Sequence, residues 1–220
     1  MTGGRVRARG PAMTGRAGWK AALAGLVLLT ACGSPVLTGE EPPPETFRLT
    51  APDLSGQALP ASGMRLVVGE PAAAPGLGTD RIPVVQDAQT LDFYANARWA
   101  APAPEMIRSV IVEALQSTGA LTVVGRRSVA IDPDVRLRTE IMDLQAVYSP
   151  GADIPTARVG LYATLITQPG REVLGSRRFV AEMRPAGAAV PEVVAALDRA
   201  ADRAVADLVA WALGEMAAGS

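Results

Sequence analysis

Between residues 134 and 183 the chain carries three long runs of strand character separated by short turn-forming segments. No other feature limits the fold as much. The runs are 134–148, 157–167 and 172–183. In the second, Val159, Leu161, Ala163 and Leu165 alternate cleanly, which puts them on one face of a sheet. In the first, Leu137, Thr139 and Ile141 hold one phase until Met142, Leu144 and Ala146 take over the apolar positions. A β-bulge near Ile141-Met142 accounts for that slip. Residues 149–155 and Gln168-Pro169-Gly170 supply the turns, and neighbouring strands joined so briefly most simply form an antiparallel meander. Arg136, Arg138, Glu140 and Arg158 fall on its other side.

Two helices flank this meander. Pro104 suits the first turn of a helix, where its missing N–H costs nothing. Met106, Ile107, Val110, Ile111, Ala114 and Leu115 then recur at helical spacing, with Glu105, Arg108, Glu113 and Gln116 opposite. Gly119 offers a left-handed stop, so the spacing predicts a helix over 104–118. Pro191 opens the second helix. Val194, Leu197, Ala201, Ala204, Val205, Leu208 and Ala212 line one side of it, and Asp198, Arg199, Asp202, Arg203 and Asp207 the other. Gly214 is expected to end it. Shorter strands are read at 47–49, 64–68, 81–86, 90–94 and 121–124, and 71–78 is read as a loop. The fold class expected is α/β: a mixed, largely antiparallel sheet with two main amphipathic helices packed on one face. No internal repeat is present.

The amino-terminal segment has a different character. Arg16 and Lys20 precede an apolar run from Ala21 to Leu29, broken only by Gly25, and Ala31 stands before the sole cysteine, Cys32. A basic start, a short greasy core and small residues at the cut describe a secretory signal; the run is too short to span a bilayer. Leu29-Thr30-Ala31-Cys32 resembles the lipobox of bacterial lipoproteins. That resemblance implies cleavage before Cys32, a thioether-linked diacylglycerol on its sulfur and an acyl chain (palmitate, for example) on its amine. Gly33 after the cysteine, in place of Asp, implies export to the outer membrane. A plain secretory signal with an incidental cysteine is the other reading. Met13 begins a more ordinary signal than Met1. The domain reading is therefore a signal at 1–31 (1–12 being open to doubt as translated sequence), an acylated proline-rich tether at 32–45 and one domain at 46–220. Pro35 and Pro42-Pro43-Pro44 make the tether semi-rigid, with a reach of about 40 Å.

Composition narrows the chemistry. The chain has 220 residues, 21 basic, 22 acidic and no histidine. Loss of residues 1–31 removes five basic residues and no acid, leaving an acidic protein, which argues against nucleic acid as a partner. Without histidine there is no Ser-His-Asp triad and no imidazole metal site. Cys32 is committed to lipid, and Lys20, the only lysine, leaves with the signal. Only carboxylates remain for acid–base or hard-metal work, so no cofactor, no metal and no catalytic residue are expected.

Asp80-Arg81-Ile82 and, more strongly, Leu91-Asp92-Phe93-Tyr94-Ala95-Asn96-Ala97-Arg98-Trp99-Ala100-Ala101-Pro102 resemble the ABC-type transport auxiliary lipoproteins. This is the PqiC-like group that accompanies permeases and MCE-domain proteins. The resemblance runs through the long strands to Leu208-Val209-Ala210-Trp211, about residues 46–213. It implies a fold related to the amino-terminal domain of TolB. It also implies a non-catalytic, outer-membrane-anchored periplasmic scaffold of an MCE-type ABC system that moves phospholipid or other hydrophobic cargo between membranes. The implied partners are the membrane through the lipid anchor, an MCE-domain protein, the permease and ATPase of the same system, and further copies of the chain.

Two readings of several residues stay open. Arg98 and Trp99 suit a partner-recognition patch, since both types anchor interfaces; they equally suit a structural tryptophan over the first helix with an arginine capping nearby carbonyls. Asp132-Pro133-Asp134 offers two carboxylates to a metal or, as ordinary turn chemistry, a bend. Arg126-Arg127 and Arg177-Arg178 face lipid phosphates or solvent. At the level of the whole protein, a free-standing carrier enclosing an acyl chain between sheet and helices competes with the scaffold. A carboxylate-dependent hydrolase needs two carboxyls about 5–9.5 Å apart in a cleft.

Overall fold

A computed structural model describes residues 43–87, 90–121, 124–125 and 132–219, all within one unit spanning Pro42–Ser220. In chain order the elements are β1 (Glu45–Phe47), β2 (Leu66–Val68), β3 (Ala72–Ala73), β4 (Arg81–Asp87), β5 (Thr90–Trp99), α1 (Ala103–Ser117), β6 (Val124–Gly125), β7 (Val135–Val147), β8 (Thr156–Thr167), β9 (Val173–Met183) and α2 (Val190–Ala218).

The antiparallel meander expected from the alternation is present. β7 and β8 pair antiparallel from Val135↔Thr167 to Val147↔Thr156, and β8 pairs antiparallel with β9. The register slips between Ile141 and Asp143, leaving Met142 as the extra residue of a bulge. Burial follows the slip: Val135, Leu137, Thr139 and Ile141 are buried before it, Leu144 and Ala146 after it. One bulge thus keeps two apolar half-strands on the same face.

The other edge of β7 is shared in tandem. β2, β3 and β4 each run parallel to it, with Leu66 opposite Val135, Ala72 opposite Glu140 and Val84 opposite Ala146. Residues 66–85 therefore track β7 as one interrupted strand, broken where Pro71, Pro75 and Gly76 (φ 86°) disrupt pairing. The region read as a loop at 71–78 thus contains β3. β6 adds to β2, β5 to β4 and β1 to β5, giving an open mixed sheet of nine strands among the described residues.

Both helices cover the face that carries Leu137, Ile141, Leu161 and Leu165. Ile107, Ile111 and Leu115 of α1 and Leu197, Val205 and Leu208 of α2 are fully buried with them. Gly119 ends α1 at φ 63°, as expected. Gly214 does not end α2, which continues to Ala218. Glu215, Met216, Ala217 and Ala218 all favour helix. Met216 is fully buried and Glu215 accepts a hydrogen bond from the Trp211 indole at 3.0 Å, so the packing of the last turn outweighs the glycine. Among the described residues, no helix is long and apolar enough to cross a membrane.

Candidate functional site

The Arg-Trp-Ala segment sits at the end of β5, where three backbone bonds fix it. Trp99 N–H donates to the Asp80 carbonyl at 2.7 Å, Ala100 N–H to Phe47 at 2.6 Å and Ala103 N–H to Thr79 at 3.1 Å. Strand alternation then separates the two residues that the sequence reading paired. The Trp99 ring points into the core and is 1 % exposed, so it offers no surface to a partner. Arg98 points the other way, half-exposed, with its guanidinium 3.9 Å from Asp80.

A second arginine joins it. Arg81 lies directly across from Arg98, and the β4–β5 register then steps from Arg81↔Arg98 to Pro83↔Phe93. Two residues of β4 span five of β5, and Asn96 turns through φ 53° in the slack. That irregularity brings the Phe93 ring under the Arg81 guanidinium, 3.7 Å from the ring centroid, a cation–π contact. Ile82, the third residue of the Asp80-Arg81-Ile82 motif, is buried. The surface group is Asp80, Arg81, Phe93 and Arg98.

This group lies at one side of a sheet face that no helix covers among the described residues. Farther across it Met142, Tyr162 and Val180 are exposed. Between them Asp143 holds two arginines, Arg158 and Arg178, each at 3.3 Å, and Arg158 also reaches Glu182 at 3.0 Å. Arg177, by contrast, lies 5.8 Å from the Phe179 ring, which itself packs on Trp211. A face with exposed aromatics and arginines around a few apolar side chains has the composition of a protein interface.

The carboxylates are engaged elsewhere. Both Asp134 oxygens take hydrogen bonds from Arg65: Oδ1 from Nη2 at 2.7 Å, and Oδ2 from Nε at 3.0 Å and from the backbone N–H at 2.8 Å. These bonds hold the Asp134 carboxyl at a pKa of about 2. The residue clamps β2 to the start of β7. No group of three or more metal-ligating side chains exists among the described residues. Tyr94, part of the segment that carries the resemblance, and Tyr148, which the sequence did not single out, line an open cavity of about 510 Å³ with Phe93. Burial, followed by the neighbouring Tyr148 hydroxyl, pushes the Tyr94 pKa up. Cys32, the signal at 1–31, the tether up to residue 42 and Arg126-Arg127 lie outside the described residues.

The fold and this face define an open-sheet α/β protein, helices on one side and a charged, aromatic-studded surface on the other. Residues 47–209 match the family described as ABC-type transport auxiliary lipoprotein component, and the chain belongs to it. Protein XCC0632 from Xanthomonas campestris is similar in structure at 26% identity and a TM-score of 0.71, over 77% of this chain and 95% of that one. An uncharacterized protein of known structure shares the fold at 17% identity and a TM-score of 0.60, over 76% and 97% of the two chains. No curated protein matches closely enough to count as a relative.

Proposed function

We propose that this chain is a non-catalytic docking scaffold of an MCE-type ABC transport system for phospholipid or similar hydrophobic cargo. In this reading Cys32 carries the acyl anchor in the outer membrane, the proline-rich tether that ends where β1 begins at Glu45 sets the stand-off, and the folded head faces the periplasm. The observation that carries it is a sheet face of a transport-auxiliary lipoprotein, uncovered by helices among the described residues, where Arg81 and Arg98 stand exposed on neighbouring strands while Trp99 fixes β5 from beneath. Arg98 contacts the partner; Trp99 acts only through position. The carrier alternative needs room for an acyl chain between sheet and helices. That space is filled by Ile107, Ile111, Leu115, Leu137, Leu161 and Leu165, each with no exposed surface, which favours the scaffold.

The test is affinity purification of the full-length acylated chain from its own cells. It is expected to bring down an MCE-domain protein and a permease, and Arg81→Glu/Arg98→Glu is expected to abolish that capture while the head keeps a cooperative melt. Recovery of neither partner overturns the proposal.

A further inference from the structure

We propose that the cavity beside β2 and β7 is a binding site for a phosphate group, held by Arg108, Arg136 and Arg138. The cavity has a volume of about 280 Å³ and lies apart from the Arg98 group. Arg136 and Arg138 alternate on the uncovered face of β7, which places their Cα atoms roughly 7 Å apart on one side of the strand. Arg108 arrives from α1, an element that packs against the opposite face of the sheet. Strand and helix thus each contribute arginines to the lining of one cavity. Glu70 is the only carboxylate lining it among the described residues.

Among the described residues, one carboxylate offsets only part of this positive charge. None of the three arginines makes an ion pair with a carboxylate among the described residues, whereas Arg65, Arg98, Arg158, Arg178 and Arg203 all do. The Arg108 Nε is buried without a hydrogen-bond acceptor, a costly condition for a charged donor. Three arginines lining one cavity repel one another, and an anion bound there relieves that repulsion. Guanidinium groups bind phosphate oxygens in pairs, and a tetrahedral anion offers acceptors in three directions at once, which a planar carboxylate does not. Val67, half-buried on the strand beside the cations, adds an apolar side chain to the lining, which suits a phosphate carried on an organic group.

This inference stands independently of the transport reading, and a lipid headgroup and a soluble phosphate share its chemistry. The full-length chain, purified in an uncharged maltoside detergent, is titrated calorimetrically with inorganic phosphate and with dioctanoyl phosphatidylglycerol. Saturable one-site binding is expected. It should weaken by about tenfold or more in Arg136→Gln/Arg138→Gln and in Arg108→Gln, the loss expected for a charge-assisted hydrogen bond. Binding of inorganic phosphate alone assigns the site to soluble phosphate; binding of the lipid, with or without phosphate, assigns it to a headgroup. Arg178→Gln, on the same face but outside the cavity, should leave either affinity unchanged. Because Arg138 is exposed, Arg138→Gln alone keeps the test open should the double variant lose its cooperative melt. Binding of neither probe overturns the proposal. So does binding that the cavity variants leave intact, or that Arg178→Gln weakens equally.

Discussion

Gly160 lies across the β7–β8 ladder from Asp143, and a methyl group at position 160 would stand 2.5 Å from the Asp143 Oδ2 and 3.2 Å from its Cβ and Cγ. The bulge at Met142 turns Asp143 toward the open face, and the missing side chain at 160 lets the carboxylate lie flat between Arg158 and Arg178. Gly160→Ala is therefore expected to destabilise the protein by about 1–3 kcal/mol, the usual cost of overpacking. The second substitution, Asp143→Ala, removes the obstruction. Urea melts of both single variants and the double should return a coupling energy in which the double is more stable than the sum of the singles. Simple additivity would show that the two residues do not share this space.

The neighbours Arg98 and Trp99 should respond in opposite ways. Trp99→Ala empties a site in the core and is expected to cost about 3–5 kcal/mol. Arg98→Ala gives up an exposed contact of 3.9 Å and should change stability by less than about 0.5 kcal/mol. Chemical denaturation of the two variants measures both. A large loss at Arg98 would mean that its guanidinium supports the fold rather than faces a partner.

The clamp between Arg65 and Asp134 sets a pH dependence. The folded Asp134 pKa of about 2 lies below the value near 3.9 of an unfolded aspartate. Its contribution is thus fully present above about pH 4 and is lost as pH falls through 2. Both side chains are about 40% exposed, so solvent screening keeps the effect small. Asp134→Asn should lower the melting temperature by at most a few degrees at pH 6, and the gap to the parent should close as pH approaches 2. A gap that persists there would point to a lost hydrogen bond instead of a lost charge.

Periodicity alone makes the centre of the fold legible. The phase change at Ile141-Met142 announces the bulge because a slip of one residue moves every later side chain to the other face. Both helices declare themselves through apolar spacing that packing then uses. β2 and β4 are legible as strands, but their tandem row along β7 is not, because β3, the link between them, has only two residues and no period, and owes its existence to the edge of β7. Nor is the full length of β5: Asn96 sits at positive φ in an irregular stretch, and the sequence around it reads as an ending. The same register step creates the Arg81–Phe93 contact, so that part of the candidate site is hidden for the same reason. At Arg98-Trp99 the alternation is visible, but which of the two residues faces the helices depends on where the sheet lies.

Gly214 shows how tertiary packing overrides a local stop signal, and it supplies a clean test. The residue is exposed inside α2, its φ is not positive, and a methyl group there would meet nothing within 4 Å. The glycine therefore serves no close approach and no left-handed turn, and it retains only its entropic cost. Gly214→Ala should stabilise the protein by about 0.5–1 kcal/mol, chiefly by restricting the unfolded chain and raising helix propensity in the last turns. Equilibrium urea denaturation measures the gain, which should appear as a higher midpoint with an unchanged slope. Were α2 to end at 214, as its sequence alone suggests, alanine would instead remove a favourable cap and the midpoint would fall.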